Sequence, residues 1–186
     1  MQRQFYSKPQ YRTLDALPER PHHVVIADSI GVEFARRLLA DVDGDCSFVI
    51  VDEVQPASAE DRCVRIASSA LAGYLAARLP QWPAGTGFYL FGREAFAWPV
   101  QNLLQDLCVP RSQCEVQRCG PLVRDVVCMH CRHTNRDVRE TLVDCGGCAR
   151  VLSVYDHFSR RLGCYVGFQA NAECERDLPP RALLRA

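Results

Sequence analysis

The sequence predicts an α/β protein, an open and mostly parallel sheet with helices on both faces, followed by a small module built on four cysteines. Three observations predict it. Between residues 22 and 120, short β-branched apolar runs alternate with segments whose apolar residues recur at helical spacing. At Gly120-Pro121 this texture stops. Beyond it the cysteines fall into two matched pairs, Cys128-Met129-His130-Cys131 and Cys145-Gly146-Gly147-Cys148.

The elements follow in chain order. Residues 1–21 read as an irregular arm, punctuated by Pro9, Pro18 and Pro21. His23 to Ala27 is a short apolar run rich in β-branched residues, the first strand. From Ile30 to Val42, Ile30, Phe34, Leu38 and Val42 share one helical face with Ala35 and Leu39. Asp43-Gly44-Asp45 is a turn, and Cys46 to Val51 is a second buried strand. Strand, helix, strand is the unit of a parallel sheet. Ala59 to Leu79 is alanine-rich and predicted helical, ended by Pro80. Gly87 to Phe91 is a third strand, and Arg93 to Leu107 a third helix that contains Pro99. Gln113 to Gln117 is more polar and reads as an edge strand. The α/β domain is therefore placed at 22–120. A metal module with an aromatic and basic tail occupies 121–174, and residues 175–186, rich in proline and arginine, are expected to fray.

Composition narrows the function. A chain of 186 residues with 48% hydrophobic and 24% charged residues can bury a core without disulfides. Formal net charge is zero, and Lys8 is the only lysine, so nothing attracts polyanions and nucleic acid is not an expected partner. Met1 to Arg20 has no apolar core of a secretory signal, and no apolar run approaches a membrane span. A cytoplasmic location is expected, where thiols stay reduced. Eleven cysteines is an odd number, so they cannot all pair within one chain. In a reducing compartment a patterned cluster points to metal.

The pattern is two C-x-x-C pairs separated by thirteen residues. That gap is shorter than the about 15–20 residues common between zinc pairs, and a shorter hairpin absorbs the difference. Each pair brings two sulfurs to one turn, so Cys128, Cys131, Cys145 and Cys148 can surround one metal tetrahedrally. Zinc would make this a closed structural ribbon. The same thiolates could hold iron, as in rubredoxin-like electron carriers, or a [2Fe–2S] cluster. Gly146 and Gly147 are expected to let the backbone curl around the metal. Arg132 to Asp144 is expected to form a hairpin with Asn135-Arg136-Asp137 at its turn. His130 and His133 are either exposed hairpin residues, alternative ligands or hydrogen-bond partners of a sulfur. Cys46, Cys63, Cys108, Cys114, Cys119, Cys164 and Cys174 lack knuckle spacing and read as packing residues.

Catalytic signatures are missing from the α/β region. It contains neither G-x-G-x-x-G nor G-x-x-x-x-G-K-[ST], and neither G-x-S-x-G nor H-E-x-x-H. After the first strand the chain reads Asp28-Ser29-Ile30-Gly31, where Asp28 or Ser29 is expected to cap the next helix. Asp52 and Glu53 read as solvated strand-end charges. No catalytic or cofactor-binding residue is assigned.

Two stretches resemble known families. Gly87-Phe88-Tyr89-Leu90-Phe91-Gly92-Arg93, with the following helix and Val109-Pro110, is similar to the end of the NAD(P)-binding domain of ferredoxin reductases, whose fold it implies without the glycine loop. The second resemblance is more specific. The two knuckles, followed by Val154-Tyr155-Asp156-His157-Phe158-Ser159-Arg160-Arg161-Leu162-Gly163-Cys164-Tyr165-Val166-Gly167-Phe168, resemble the C-terminal region of the DmmA-like subunit of bacterial dimethylamine monooxygenase. That family implies a non-catalytic accessory subunit of a hetero-oligomer that uses O₂ and reduced nicotinamide to demethylate dimethylamine. Haem, flavin and iron–sulfur groups are then expected on partner subunits. In the tail, Tyr155, Phe158, Tyr165 and Phe168 interleave with His157, Arg160 and Arg161. These are interface residue types, although the segment could instead fold back onto its own domain.

Overall fold

In a computed structural model, residues 8–14, 19–40, 45–53, 58–60, 62–173 and 178–185 are described. Parts of the predicted arm (1–7 and 15–18), Val42 with Asp43-Gly44, and Cys174 lie outside the described residues. The chain divides into two compact units, Tyr11–Gly120, and Pro121–Ala186 with Met1–Gln10.

The first unit is a six-stranded sheet. Its elements are β1 (His23–Asp28), α1 (Val32–Ala40), β2 (Cys46–Val51), β3 (Ser58–Glu60), β4 (Cys63–Ile66), α2 (Ser68–Arg78), β5 (Gly87–Gly92), α3 (Glu94–Asp106) and β6 (Cys114–Arg118). Strand order is β3-β4-β2-β1-β5-β6, and only β3–β4 pairs antiparallel. The polar β6 lies at an edge, as its sequence predicts. Alternate residues of a strand point to opposite sides, and the core divides accordingly. Val24, Ile26, Val49, Phe88 and Leu90 pack with Leu71 and Leu75 of α2 and with Ala97, Val100 and Leu104 of α3. Val25, Ala27, Phe48, Ile50, Tyr89 and Phe91 pack with Ala35 and Leu38 of α1. At Gly31 the turn into α1 presses on β5, since a Cβ there would stand 2.0 Å from the Phe91 carbonyl oxygen. After α3, Cys108 takes a left-handed φ of 65° and the Val109 N–H reaches back to the Leu104 carbonyl at 2.9 Å. This is a Schellman-type stop with cysteine in the usual glycine place.

One element differs from expectation. Ala59 to Leu79 is not a single helix: β3 and β4 form an antiparallel pair, and α2 begins only at Ser68. Alanine favours helix locally, but Cys63-Val64-Arg65-Ile66 extends the sheet beside β2 and Arg65 pairs with Asp52 at 2.8 Å. Sheet pairing outweighs propensity here.

The second unit is a five-stranded sheet of β7 (Arg124–Cys128), β8 (Thr134–Val138), β9 (Leu142–Asp144), β10 (Val151–Ser159) and β11 (Cys164–Gln169). Their order is β8-β7-β11-β10-β9, and only β7–β11 is parallel. Two expectations need correction. β8 and β9 are not a hairpin between the knuckles: β8 pairs with β7, and β9 with β10. Asn135-Arg136-Asp137 therefore lies in a strand, with the left-handed Asp137 (φ 52°) accommodated at an irregularity in the β7–β8 register. The aromatic segment is not a tail either, because β10 and β11 occupy inner positions of the sheet. Phe158 and Tyr165 are buried with ring centroids 5.0 Å apart, and the buried Arg124 guanidinium lies 4.2 Å over Tyr165 while pairing with Asp156 at 2.6 Å. Tyr155 and Phe168, 51% and 46% exposed, touch edge to face at the surface. The stretch thus folds back onto its own sheet at Phe158 and Tyr165 and leaves Tyr155 and Phe168 at the surface.

Near the chain's end, Ala182 and Leu184 exchange backbone hydrogen bonds with Thr141 and Arg139, each 2.8 Å. Arg181 pairs with Asp144 at 2.6 Å.

Candidate metal centre

The two C-x-x-C segments fold into matching turns. In the first, the Cys128 N–H donates to the His133 carbonyl (2.9 Å) and the Arg132 N–H donates back to the Cys128 carbonyl (2.9 Å). In the second, Cys145 N–H donates to Arg150 and Ala149 N–H donates to Cys145, each at 2.8 Å. The residue after each second cysteine is left-handed, Arg132 at φ 65° and Ala149 at φ 59°. The same closing bonds and the same φ at the same position make the knuckles two copies of one local structure.

Folding brings the four sulfurs together. Sγ atoms of Cys128, Cys131, Cys145 and Cys148 all lie within 4.8 Å of one another. Cys128 and Cys148 are 3.9 Å apart, Cys131 and Cys145 3.6 Å. A tetrahedron with metal–sulfur bonds of about 2.3 Å has an edge of about 3.8 Å, so the donor set fits a single tetrahedral ion. Cys128 and Cys145 are buried with Leu152, and the half-buried Cys131 and Cys148 pack against them with Val143.

Electrostatics agree with the geometry. For Cys145, burial works against the thiolate, but N–H donors from Gly147 and Cys148 and the neighbouring thiols pull its pKa down to about 6. For Cys131, a His133 N–H favours the thiolate. Desolvation and the other three sulfurs oppose it and push the pKa up to about 12. Four sulfurs this close cannot all carry negative charge without a cation among them.

The glycines act differently from expectation. Gly146 and Gly147 are absent from the left-handed positions; Arg132 and Ala149 take them. A Cβ on Gly147 would instead stand 2.6 Å from His133 Cβ and 3.1 Å from Cys131 Sγ. What the glycines permit is close approach of one knuckle to the other. His133 serves the site through its backbone, and neither it nor His130 belongs to the cluster. Sequence reading missed Asn135, whose buried side chain reaches both Cys145 and Gly146. Its signal was a polar residue in a buried strand position, obscured by reading the segment as a turn.

Other candidate residues have structural partners. Among the described residues the four cysteines form the only His/Cys/Asp/Glu cluster spaced to hold a metal. Cys114 and Cys119 are buried, which pushes both thiols up to about 11. Asp28 accepts the Ile30 and Gly31 N–H groups at 3.0 and 2.8 Å through one oxygen and the Arg93 N–H at 3.1 Å through the other. Its own carboxylate thus occupies the donors at the start of α1 that would otherwise face an anionic ligand. Asp52 pairs with Arg65, and Glu53 accepts the first N–H of α2 from Ser68 at 2.7 Å, a bond that lowers its pKa.

Residues 125–168, which span both knuckles and nearly all of the five-stranded sheet, match the family model of the dimethylamine monooxygenase subunit DmmA-like C-terminal domain. The C-terminal unit is similar to that domain. Along 168 residues, 90% of each chain, the protein is 25% identical to the heme-dependent oxidative N-demethylase delta subunit of Ectopseudomonas mendocina (strain ymp). The similarity to that delta subunit therefore takes in the α/β unit as well. No solved structure matches. No helix among the described residues is long and apolar enough to cross a membrane.

Proposed function

We propose that this chain is a non-catalytic accessory subunit of a multi-component oxidative N-demethylase acting on dimethylamine, and that Cys128, Cys131, Cys145 and Cys148 hold one structural zinc ion. The subunit role is supported by likeness to a delta subunit over nearly the whole chain. The substrate is suggested by the description of the matching domain. The metal reading is carried by one observation, the near-tetrahedral spacing of the four sulfurs. In a closed four-sulfur site zinc has no open position; it supplies folding free energy and activates no water. Haem, flavin and iron–sulfur chemistry then belongs to partner subunits. This chain's part is to hold the two knuckles in register and to present the exposed Tyr155–Phe168 pair, residue types enriched where proteins dock.

Metal analysis by mass spectrometry, with a visible spectrum of the same sample, tests the metal assignment. About one zinc per chain in a colourless solution is expected. Iron with thiolate charge-transfer bands would instead make the chain a rubredoxin-like electron carrier. Expression with the genes beside it tests the subunit role: a larger hetero-assembly is expected on gel filtration, and a free monomer would overturn it.

A further inference from the structure

The Asn135 carboxamide, near the start of β8, makes three polar contacts at once. Its Nδ2 donates to the Val126 carbonyl on β7 at 3.3 Å and lies 3.8 Å from Cys145 Sγ. Its Oδ1 accepts the Gly146 N–H at 2.9 Å. The partners fix which end is which, because a flipped amide would set oxygen against a carbonyl and a thiolate. Asn135 is buried, and a buried amide is costly unless its groups are bonded. Here they bond on one side to the strand that carries Cys128, and on the other to the knuckle that carries Cys145 and Cys148. Val126 and Asn135 are direct cross-strand neighbours, so the contact is set by sheet register.

We propose that Asn135 is a positioning residue of the metal site: it clamps the second knuckle to the first strand and donates to the Cys145 thiolate, thereby setting how tightly the ion is held. The inference rests on the metal reading above. Partners that orient ligands commonly govern affinity by about 10–100-fold. The side chain spans knuckles that are distant in sequence, so it aligns four sulfurs that each C-x-x-C turn alone cannot.

The test uses the full-length chain and zinc as the probe. Asn135→Asp keeps the volume and an acceptor for Gly146 but turns an anionic oxygen toward the sulfur; Asn135→Ala removes all three contacts. Zinc transfer to a chromophoric chelator should show affinity lower by about 10–100-fold in both. With cobalt as a spectroscopic substitute, loss of the N–H donor should move the sulfur-to-metal band to lower energy, a shift that a packing role would not cause. Affinities within about twofold of the parent with an unmoved cobalt band would overturn the proposal. So would an Asn135→Asp chain that stays unfolded at saturating zinc, since Asn135 would then be a general core residue. If the unsubstituted protein binds no zinc, the metal reading itself fails, which separates the two cases.

Discussion

The two units close their sheets by different means. In Tyr11–Gly120, β1 and β5 are buried along their whole length, and two aliphatic and aromatic clusters clothe the strands with α1, α2 and α3. In the C-terminal unit no described segment is helical; besides buried Val126, Val138, Leu142, Phe158 and Tyr165, Cys128, Cys145 and Leu152 cluster with the other two knuckle cysteines. One unit rests on buried apolar area alone; the other adds a cluster of four sulfurs to its buried apolar residues. On the metal reading proposed above, the difference teaches where stability resides: spread over many side chains in the first unit, and shared between side chains and one metal point in the second.

The largest effect expected from this contrast follows Cys145→Ser or strong chelation. Structural zinc in small modules contributes about 10–16 kcal/mol at neutral pH, so the C-terminal unit should lose its fold. Hydrogen exchange should show protection lost over β7–β11 and retained over β1, β2 and β5. Equal loss in both units would break the comparison. Next comes Leu90→Ala, at a fully buried position of the first unit. It should cost about 2–5 kcal/mol by denaturant melting and leave the metal content unchanged. A smaller effect is expected from Gly147→Ala, whose Cβ would press on His133 Cβ at 2.6 Å. Overpacking of this kind costs about 1–3 kcal/mol, here read as faster zinc loss to a chelator with no change in the first unit.

The opposite sign is expected at Ala149, left-handed at φ 59°. Ala149→Gly should relieve about 1 kcal/mol of backbone strain and slow zinc loss. The smallest effect is one of pH and is confined to the first unit. Burial lowers the pKa of His22 and of His23 below the usual 6.5. In the fold both therefore favour the neutral form, and the unfolded chain takes up protons first as pH falls. Their contribution is fully present above about pH 6.5 and declines below it. Tryptophan fluorescence during urea unfolding should report this, because Trp82 stacks on His22 at 6.0 Å. A midpoint that does not move between pH 7.5 and pH 5.5, two values about a unit either side of 6.5, would contradict it.

The sequence was most legible where structure depends on near neighbours. Apolar period sufficed for β1-α1-β2 and β5-α3-β6, and C-x-x-C spacing for the knuckles, because hydrophobic alternation and turn closure are set within a few residues. The strands β3 and β4, hidden in an alanine-rich stretch, were not legible, because pairing with β2 decides them. Nor was the division of the aromatic stretch into a buried Phe158–Tyr165 pair and an exposed Tyr155–Phe168 pair, since its neighbours come from distant strands and a bulge between Val154 and Phe158 shifts the register.

By itself, then, the sequence determined the alternation of strands and helices, the boundary near Gly120 and the identity of the four sulfur residues. Only the tertiary structure decided that these sulfurs meet at near-tetrahedral spacing, that Arg132 and Ala149 carry the left-handed turns, and that Asn135 bridges the knuckles. The reason is physical: a knuckle's shape follows from local bonds, but the meeting of two knuckles needs β7, β11, β10 and β9 to pair in register, and pairing is a property of strands far apart in the chain.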